Sequence, residues 1–304
     1  MRPDTTGPAI SAIASPNAPD LSVVVVNYNA GPALEECLAD LAAAAPAGGL
    51  EVLVVDNASR DGSLDQARRR HPWARFIASP VNRGFAAGCN LGLAAATGRH
   101  LMLLNPDTRL APGCLEAMCR FLDTHPRAGA LGPRVLDPDG RVQLSARGAP
   151  GPGAFLFHRY SLLTRLFPGN ALSRRYLHSD WDHATTREVD WLSGAALMLS
   201  RPALAAAGPL DEGFFLFHED VDLCLRVRQA GFTVVYHPGA TVIHAIGISK
   251  EKADLRLLKA RHRSMMRFVR KHHRRWGPLL WLADLAIAWR FGLLAAAAAF
   301  RKLR

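Results

Sequence analysis

Apolar residues in the first hundred positions come as short unbroken runs separated by amphipathic stretches. LSVVVVN (Leu21–Asn27), EVLVVD (Glu51–Asp56), Arg75–Ala78 and HLMLLN (His100–Asn105) are rich in aliphatic, largely β-branched side chains. Runs of that length predict strands buried on both faces. Between them, Ala33–Ala45, a stretch from the Asp61-Gly62-Ser63 turn to about His71, and Gly88–Ala96 predict helices. The alternation predicts an α/β fold, a mostly parallel sheet flanked by helices. The second half is less regular. Residues 134–188 read as loops with short elements, and Val189–Ser200 as strand, glycine turn, strand. Arg201–Ala207 and Asp220–Gln229 predict helices; Thr233–His237 and Ala240–His244 predict two strands. There is no internal repeat.

In such sheets a ligand sits beyond the carboxyl ends of the strands. Polar residues fall there: Asn27-Tyr28-Asn29, Asp56-Asn57 and Asn105-Pro106-Asp107. Each group alone also fits a turn or a helix cap; three strand ends together predict a site. Asp107 offers a carboxylate to Mg2+ or Mn2+, which take oxygen ligands and neutralise a departing diphosphate. Asp56 can accept a hydrogen bond from a base or ribose. The loop Asn82-Arg83-Gly84 opens a helix, where glycine allows close backbone approach and the amino end favours anions, with Arg83 placed for phosphate. It is neither GxGxxG nor a Walker loop, which argues against a dehydrogenase or a P-loop ATPase. His218-Glu219-Asp220-Val221-Asp222 follows an aromatic run and starts a helix. Apolar surroundings raise a carboxylate toward the range useful to a base. Asp220 is the chosen base and Glu219 its rival, with helix capping as the structural alternative. His244 ends a strand and reads as a metal-sphere ligand, a phosphate contact or a structural histidine.

Charge and cysteine content refine this picture. The net charge is +11, but fifteen Lys/Arg and three Asp/Glu stand from Lys250 onward, against 22 and 23 before it. The basic character therefore belongs to the tail and suggests an anionic surface. No nucleic-acid motif accompanies it, and Gly277–Phe300 is apolar apart from Asp284 and Arg290. The expected partner is a membrane, met by an interfacial helix beside a basic segment; two charges make a clean span costly. A helical hairpin packed on the body is the structural alternative. Nucleic acid is not an expected partner. Five cysteines without a CxxC pair predict buried thiols in a reducing cytosol. Residues 1–20, rich in Pro, Ala, Ser and Thr, read as a loose arm and not as a signal peptide.

Taken in order, VVVNYN (24–29), VVDNAS (54–59), NRGFAAGCN (82–90), LLNPDT (103–108), WLSGAALM (191–198), GPLDEGFFLFHEDVDLCLR (208–226) and VIHAIGIS (242–249) resemble the family 2 glycosyltransferases of GT-A fold. The likeness covers residues 21–250 and is greatest for the rhamnosyltransferase-like branch. It implies a GT-A domain over 21–250, with a nucleotide-sugar half (21–133) and an acceptor half (134–250), followed by a helical tail (251–304). It implies inverting transfer of a sugar, rhamnose from dTDP-L-rhamnose, to an acceptor hydroxyl in cell-surface glycan synthesis; the tail adds the expectation of a glycan or lipid-linked glycan acceptor met at the inner face of the cytoplasmic membrane. On this resemblance Asn27, Asn29, Asp56, Asn82, Arg83, Gly84 and Asn105 bind the nucleotide-sugar. Trp191 and Gly194 line the acceptor side, Asp220 with Glu219 supplies the base, and Asp107 with His244 holds the metal. Asn105 replaces the first Asp of the usual DxD and removes one charge. The competing readings are a transferase for another UDP- or GDP-sugar, and a non-catalytic protein that binds sugar-nucleotide or glycan. A nucleotidyltransferase is disfavoured, because Asn-Tyr-Asn-Ala-Gly stands where a basic triphosphate loop belongs.

Overall fold

The computed structural model describes residues 10–150, 170–245 and 255–302, with side chains to residue 296. The start of the expected arm, part of the 134–188 loops and the end of VIHAIGIS lie outside those ranges. In chain order the elements are β1 (Leu21–Asn27), α1 (Pro32–Ala43), β2 (Leu50–Asp56), α2 (Ser63–Arg70), β3 (Arg75–Ala78), α3 (Phe85–Ala95), β4 (His100–Leu104) and β5 (Thr108–Leu110). Then follow α4 (Cys114–Thr124), β6 (Ala128–Leu136), β7 (Ala146–Arg147), α5 (Ala171–Leu177), β8 (Arg187–Glu188), β9 (Trp191–Leu192) and β10 (Ala196–Ser200). The last are α6 (Arg201–Ala207), α7 (Glu219–Gln229), β11 (Thr233–His244), α8 (Leu255–His272) and α9 (Leu279–Lys302).

The main sheet runs β3-β2-β1-β4-β10-β6-β11-β5, with β8 also on β11. β3, β2, β1 and β4 are parallel, β10 runs against both neighbours, and β6 and β11 resume the first direction. The result is the expected mixed, mostly parallel sheet. Period-two alternation sorts the strand side chains between its faces. Val23, Val25, Val52 and Val54 pack with Leu34, Leu38, Leu115 and Met118 of α1 and α4. Val24, Val26, Leu53 and Val55 pack with α3, α6 and α7 on the other face. Full burial of each such side chain contributes roughly 1.5–3 kcal/mol, so two continuous cores hold the sheet. Glycine sets the approach of α3: a Cβ at Gly92 would lie 2.3 Å from Val24 Cγ1, and one at Gly88 2.8 Å from Val26 Cγ1.

The structure differs from the sequence expectation in three stretches. β5 and α4 form the first; β6 is the second, hidden because Gly129, Gly132 and Pro133 interrupt its apolar pattern. Gly132 is required by packing, since a Cβ there would meet Leu192 at 2.8 Å. Pro133 pairs with His237 beside a register shift, where a missing N–H is tolerated. That shift also explains the third difference: the two strands expected over 233–244 are one bent strand, β11. All five cysteines are buried free thiols.

Candidate active site

The carboxyl ends of β1, β2 and β4 lie side by side, with Asn27 opposite Asp56 and Val25 opposite Leu104. Beneath this edge Asn27 has no solvent exposure. Its amide donates to Asp56 Oδ1 (2.8 Å), Ser63 Oγ (2.9 Å) and Ser59 Oγ (3.1 Å). Asn27 therefore holds the Asp56–Ser63 loop from below and does not itself face the cleft. Asp56 Oδ2 accepts from Ser59 N–H at 3.1 Å. Asn29, exposed and in the left-handed region at φ 52°, accepts from Arg60 N–H at 2.8 Å. The first two strand ends thus form one knitted platform.

Asn57, one residue past the expected Asp56, organises the next loop. Its amide donates to Asn82 Oδ1 and Gly84 O, both at 3.0 Å, and its Oδ1 accepts from Arg83 N–H at 3.0 Å. Gly84 has φ 91°, and a Cβ there would lie 2.4 Å from Phe215 O. Phe85 N–H donates to that oxygen at 2.8 Å, so the start of α3 is fastened to the loop before α7. The Arg83 guanidinium binds Glu212 Oε2 at 2.8 Å.

Asn105 and Asp107 follow β4. Asn105 N–H donates to Ala195 O at 2.9 Å, and its side-chain nitrogen lies 3.5 Å from His244 Nε2. Asp107 Oδ1 lies 3.3 Å from the same Nε2. The ring is oriented by Gln143, which the sequence reading missed because nothing in RVQLS marks it. Gln143 Nε2 faces two acceptors, His244 O and Asp137 Oδ1, each at 2.7 Å. Its Oε1 must then be the atom 3.2 Å from His244 Nδ1. A neutral ring accordingly carries its proton on Nδ1 and a lone pair on Nε2, directed at the Asp107 carboxylate. Two lone-pair donors converging at 3.3 Å, with a partner fixing the tautomer, suit a divalent cation. Among the described residues no three His, Cys, Asp or Glu form a metal cluster. A cation held here would draw its remaining ligands from substrate or water, as Mg2+ and Mn2+ sites commonly do.

Asp220 and Glu219, adjacent in sequence, occupy different surroundings. Asp220 Oδ2 accepts from Gly194 N–H at 2.9 Å and Oδ1 from Val221 N–H at 2.8 Å. Burial raises its pKa, opposed by those two hydrogen bonds and by the Arg147 guanidinium. It keeps partial exposure, whereas Glu219 is buried, with Oε2 lacking a partner. Burial first, and then the Asp220 charge, raises the Glu219 pKa. Glu219 is thus the more deeply buried member and Asp220 the one open to the cleft. Phe217 and His218, at φ 70° and 69°, lie directly before them. Two consecutive non-glycine residues in the left-handed region store about 1–3 kcal/mol each, and such strain clusters at functional sites.

Trp191, expected on the acceptor side, is buried and donates to Gly148 O at 3.0 Å. It presents its ring to Arg147, whose guanidinium lies 5.1 Å over it and 5.9 Å from the Tyr176 ring. Arg147 was not foreseen; an arginine in a two-residue strand leaves no pattern. In the tail the packed hairpin given as the structural alternative is present, and its outer face remains exposed. Part of its basic charge is intramolecular: Arg267 and Lys271 bind Asp211, Lys271 and His272 bind Asp222, and Arg270 binds Asp284. α8 packs on the body, and α9 packs on α8 through Ile287, Met265 and Val269.

A parallel half-sheet with polar strand ends, joined through an antiparallel strand to a second half that carries a carboxylate pair, is the arrangement of the GT-A fold. The family model for glycosyl transferase family 2 matches residues 22–181. Over 297 residues the chain is 34% identical to the N-acetylglucosaminyl-diphospho-decaprenol L-rhamnosyltransferase of Mycobacterium tuberculosis, covering 93% of this chain and 95% of that one. Among solved structures it resembles a mannosyltransferase from Pyrobaculum calidifontis in complex with GDP-Man and Mn2+ (TM-score 0.59, 21% identity, 98% of this chain and 77% of that one). It also resembles GalNAc-T7 with UDP, GalNAc and Mn2+ (TM-score 0.62, 15% identity, 84% of this chain), spanning 48% of that protein. The chain belongs to glycosyl transferase family 2 and is a glycosyltransferase.

Proposed function

We propose that the protein transfers L-rhamnose from dTDP-L-rhamnose, with inversion, to a sugar hydroxyl of a polyprenyl-diphosphate-linked acceptor during cell-surface glycan synthesis. The observation that carries this reading is the bridge between the two halves of the site. Asn105 N–H binds Ala195 O, and the neighbouring Gly194 N–H binds Asp220 Oδ2, each at 2.9 Å. Adjacent Cα atoms are about 3.8 Å apart, so the diphosphate end and the base end share one short backbone segment. The sugar-linked acceptor and the rhamnosyl donor are supported by similarity along almost the whole chain to a rhamnosyltransferase so named.

In this reading Asp220 takes the proton of the acceptor hydroxyl while that oxygen forms a bond to the anomeric carbon. The bond from that carbon to the nucleoside diphosphate breaks, and the diphosphate keeps the electron pair. Asp107 and His244 Nε2 would hold Mg2+ or Mn2+, which would supply neutralisation of the departing diphosphate. The Asp56–Ser63 platform receives base and ribose, and Gly84 lets the start of α3 fasten to the loop before α7, beside the carboxylate pair. A panel of dTDP-rhamnose, UDP-sugars and GDP-mannose, with a short polyprenyl-diphosphate GlcNAc acceptor and either cation, tests the assignment. Turnover is expected with dTDP-rhamnose alone, giving an inverted product by NMR. Turnover with a UDP- or GDP-sugar alone would remove the donor assignment; donor retention without turnover would remove the catalytic one.

The tail supports a place at the inner face of the cytoplasmic membrane. Leu279–Ala296 is long and apolar enough to cross a bilayer, and little of it is buried. Trp281, Leu282, Leu285, Trp289 and Leu293 project from it into solvent, while Ile287 faces α8. A helix packed along one side and apolar on the other suits lying in the interface, with tryptophan at headgroup depth. Replacing Trp281, Leu285 and Trp289 together by serine is expected to release the protein from anionic vesicles in a sedimentation assay. Equal partitioning of the variant and wild type would remove the membrane role.

A further inference from the structure

The basic helix α8 grips the segment that carries the base. Leu216–His218 is the strained turn directly before Glu219 and Asp220. Ser264 Oγ–H donates to Leu216 O at 2.9 Å, the Arg261 guanidinium lies 4.5 Å over the Phe217 ring, and the Phe268 ring lies 5.7 Å from that of His218. A left-handed pair persists only where its surroundings over-determine it, and here those surroundings include three residues of the tail. Beyond the turn, Asp222 is fully buried and receives Arg226 Nε at 2.8 Å, with Lys271 Nζ and His272 Nε2 at 2.7 Å. Lys271 Nζ also binds Asp211 Oδ2 at 2.7 Å, and Arg267 binds the other oxygen at the same distance. One ammonium group therefore ties Asp211, at the start of the loop before α7, to Asp222 in the first turn of that helix, the turn in which Asp220 lies.

We propose that α8 is a positioning element of the transferase and that Lys271 sets the position of Asp220. The inference rests on the reading of Asp220 as the base. A plain structural staple would stabilise the chain and leave the turnover of folded enzyme unchanged. A positioning residue acts on the chemical step, because a displacement of about 1 Å in a catalytic group can cost roughly a hundredfold. Arginine and methionine at 271 separate the two: arginine retains the charge and hydrogen-bond donors, methionine only the length.

The test uses the full chain at a temperature well below melting, with Asp220→Asn alongside. Lys271→Met is expected to lower kcat at least tenfold, with donor KM within twofold of wild type, and Lys271→Arg to recover most of the loss. A Lys271→Met enzyme with kcat within twofold of wild type, beside an inactive Asp220→Asn, overturns the inference alone. An Asp220→Asn enzyme at wild-type speed overturns the catalytic reading and the inference with it. Should Lys271→Met lose its cooperative melt, His272→Leu carries the test, since it removes one donor to Asp222 and keeps the ammonium. It is expected to lower kcat at least threefold at unchanged donor KM, and an unchanged kcat overturns the proposal.

Discussion

Asp220→Asn is expected to slow transfer by about a hundredfold to ten-thousandfold, the usual contribution of a general base. That is about 2.7–5.5 kcal/mol at about 1.36 kcal/mol per tenfold. The side chain is replaced by one of the same shape, so the loss reports chemistry. Both Asp220 oxygens accept backbone N–H groups, and asparagine offers one acceptor oxygen, so one of the two bonds is lost. Donor affinity measured by calorimetry is the control for that local change and is expected to hold within a few-fold. Glu219→Gln is expected to keep most of the activity, because Glu219 is buried away from the cleft and burial, with the neighbouring Asp220 charge, raises its pKa. The wild-type pH profile follows from the raised Asp220 pKa. A carboxylic acid cannot take a proton, so transfer falls as pH is lowered, with its midpoint above the ordinary aspartate value. Normal turnover by Asp220→Asn, or collapse on Glu219→Gln alone, would reverse the assignment.

What the sequence disclosed and what it hid have separate physical causes. β1, β2 and β4 are buried on both faces, so their apolar runs are continuous and unmistakable. The polar residues at their carboxyl ends stand out against those runs, and this marked Asp56 and Asp107 as candidates. β6 is equally central but hidden, since close contacts with Leu192 and Phe232 require glycine where a strand signal would show a branched residue. Gln143 and Arg147 were illegible for another reason. Their roles arise from pairing across 101 residues with His244 and from stacking on Trp191, 44 positions on, and neither leaves a local spacing. The tail was half legible: its charge was plain, but a positive count does not show that Lys271 is bound to Asp211 and Asp222.

The largest effect expected outside the base is at Asp107. Asp107→Ala is expected to lower kcat/KM by about a hundredfold to a thousandfold, the scale of removing one stabiliser of transition-state charge. Its backbone is held independently of the side chain, as Asp107 O accepts from Ala245 N–H at 3.1 Å, so the fold should survive the change. With Asn105 in place of a second acid, Asp107 is the only carboxylate in its motif, and no neighbouring acid of that motif can compensate. The measurement is a Mn2+ titration followed by electron paramagnetic resonance in the presence of nucleoside diphosphate, which reads binding without turnover. Asp107→Ala should abolish the bound signal over the range that saturates wild type. Gln143→Met should weaken it about 10–100-fold, the usual effect of removing the partner that orients a ligating histidine. The two variants act on different atoms of one arrangement: the first removes a ligand, the second frees the His244 ring. An undiminished signal in Asp107→Ala would place the cation elsewhere. A lost signal in Asp107→Ala with a normal one in Gln143→Met would keep Asp107 and remove the tautomer argument for His244.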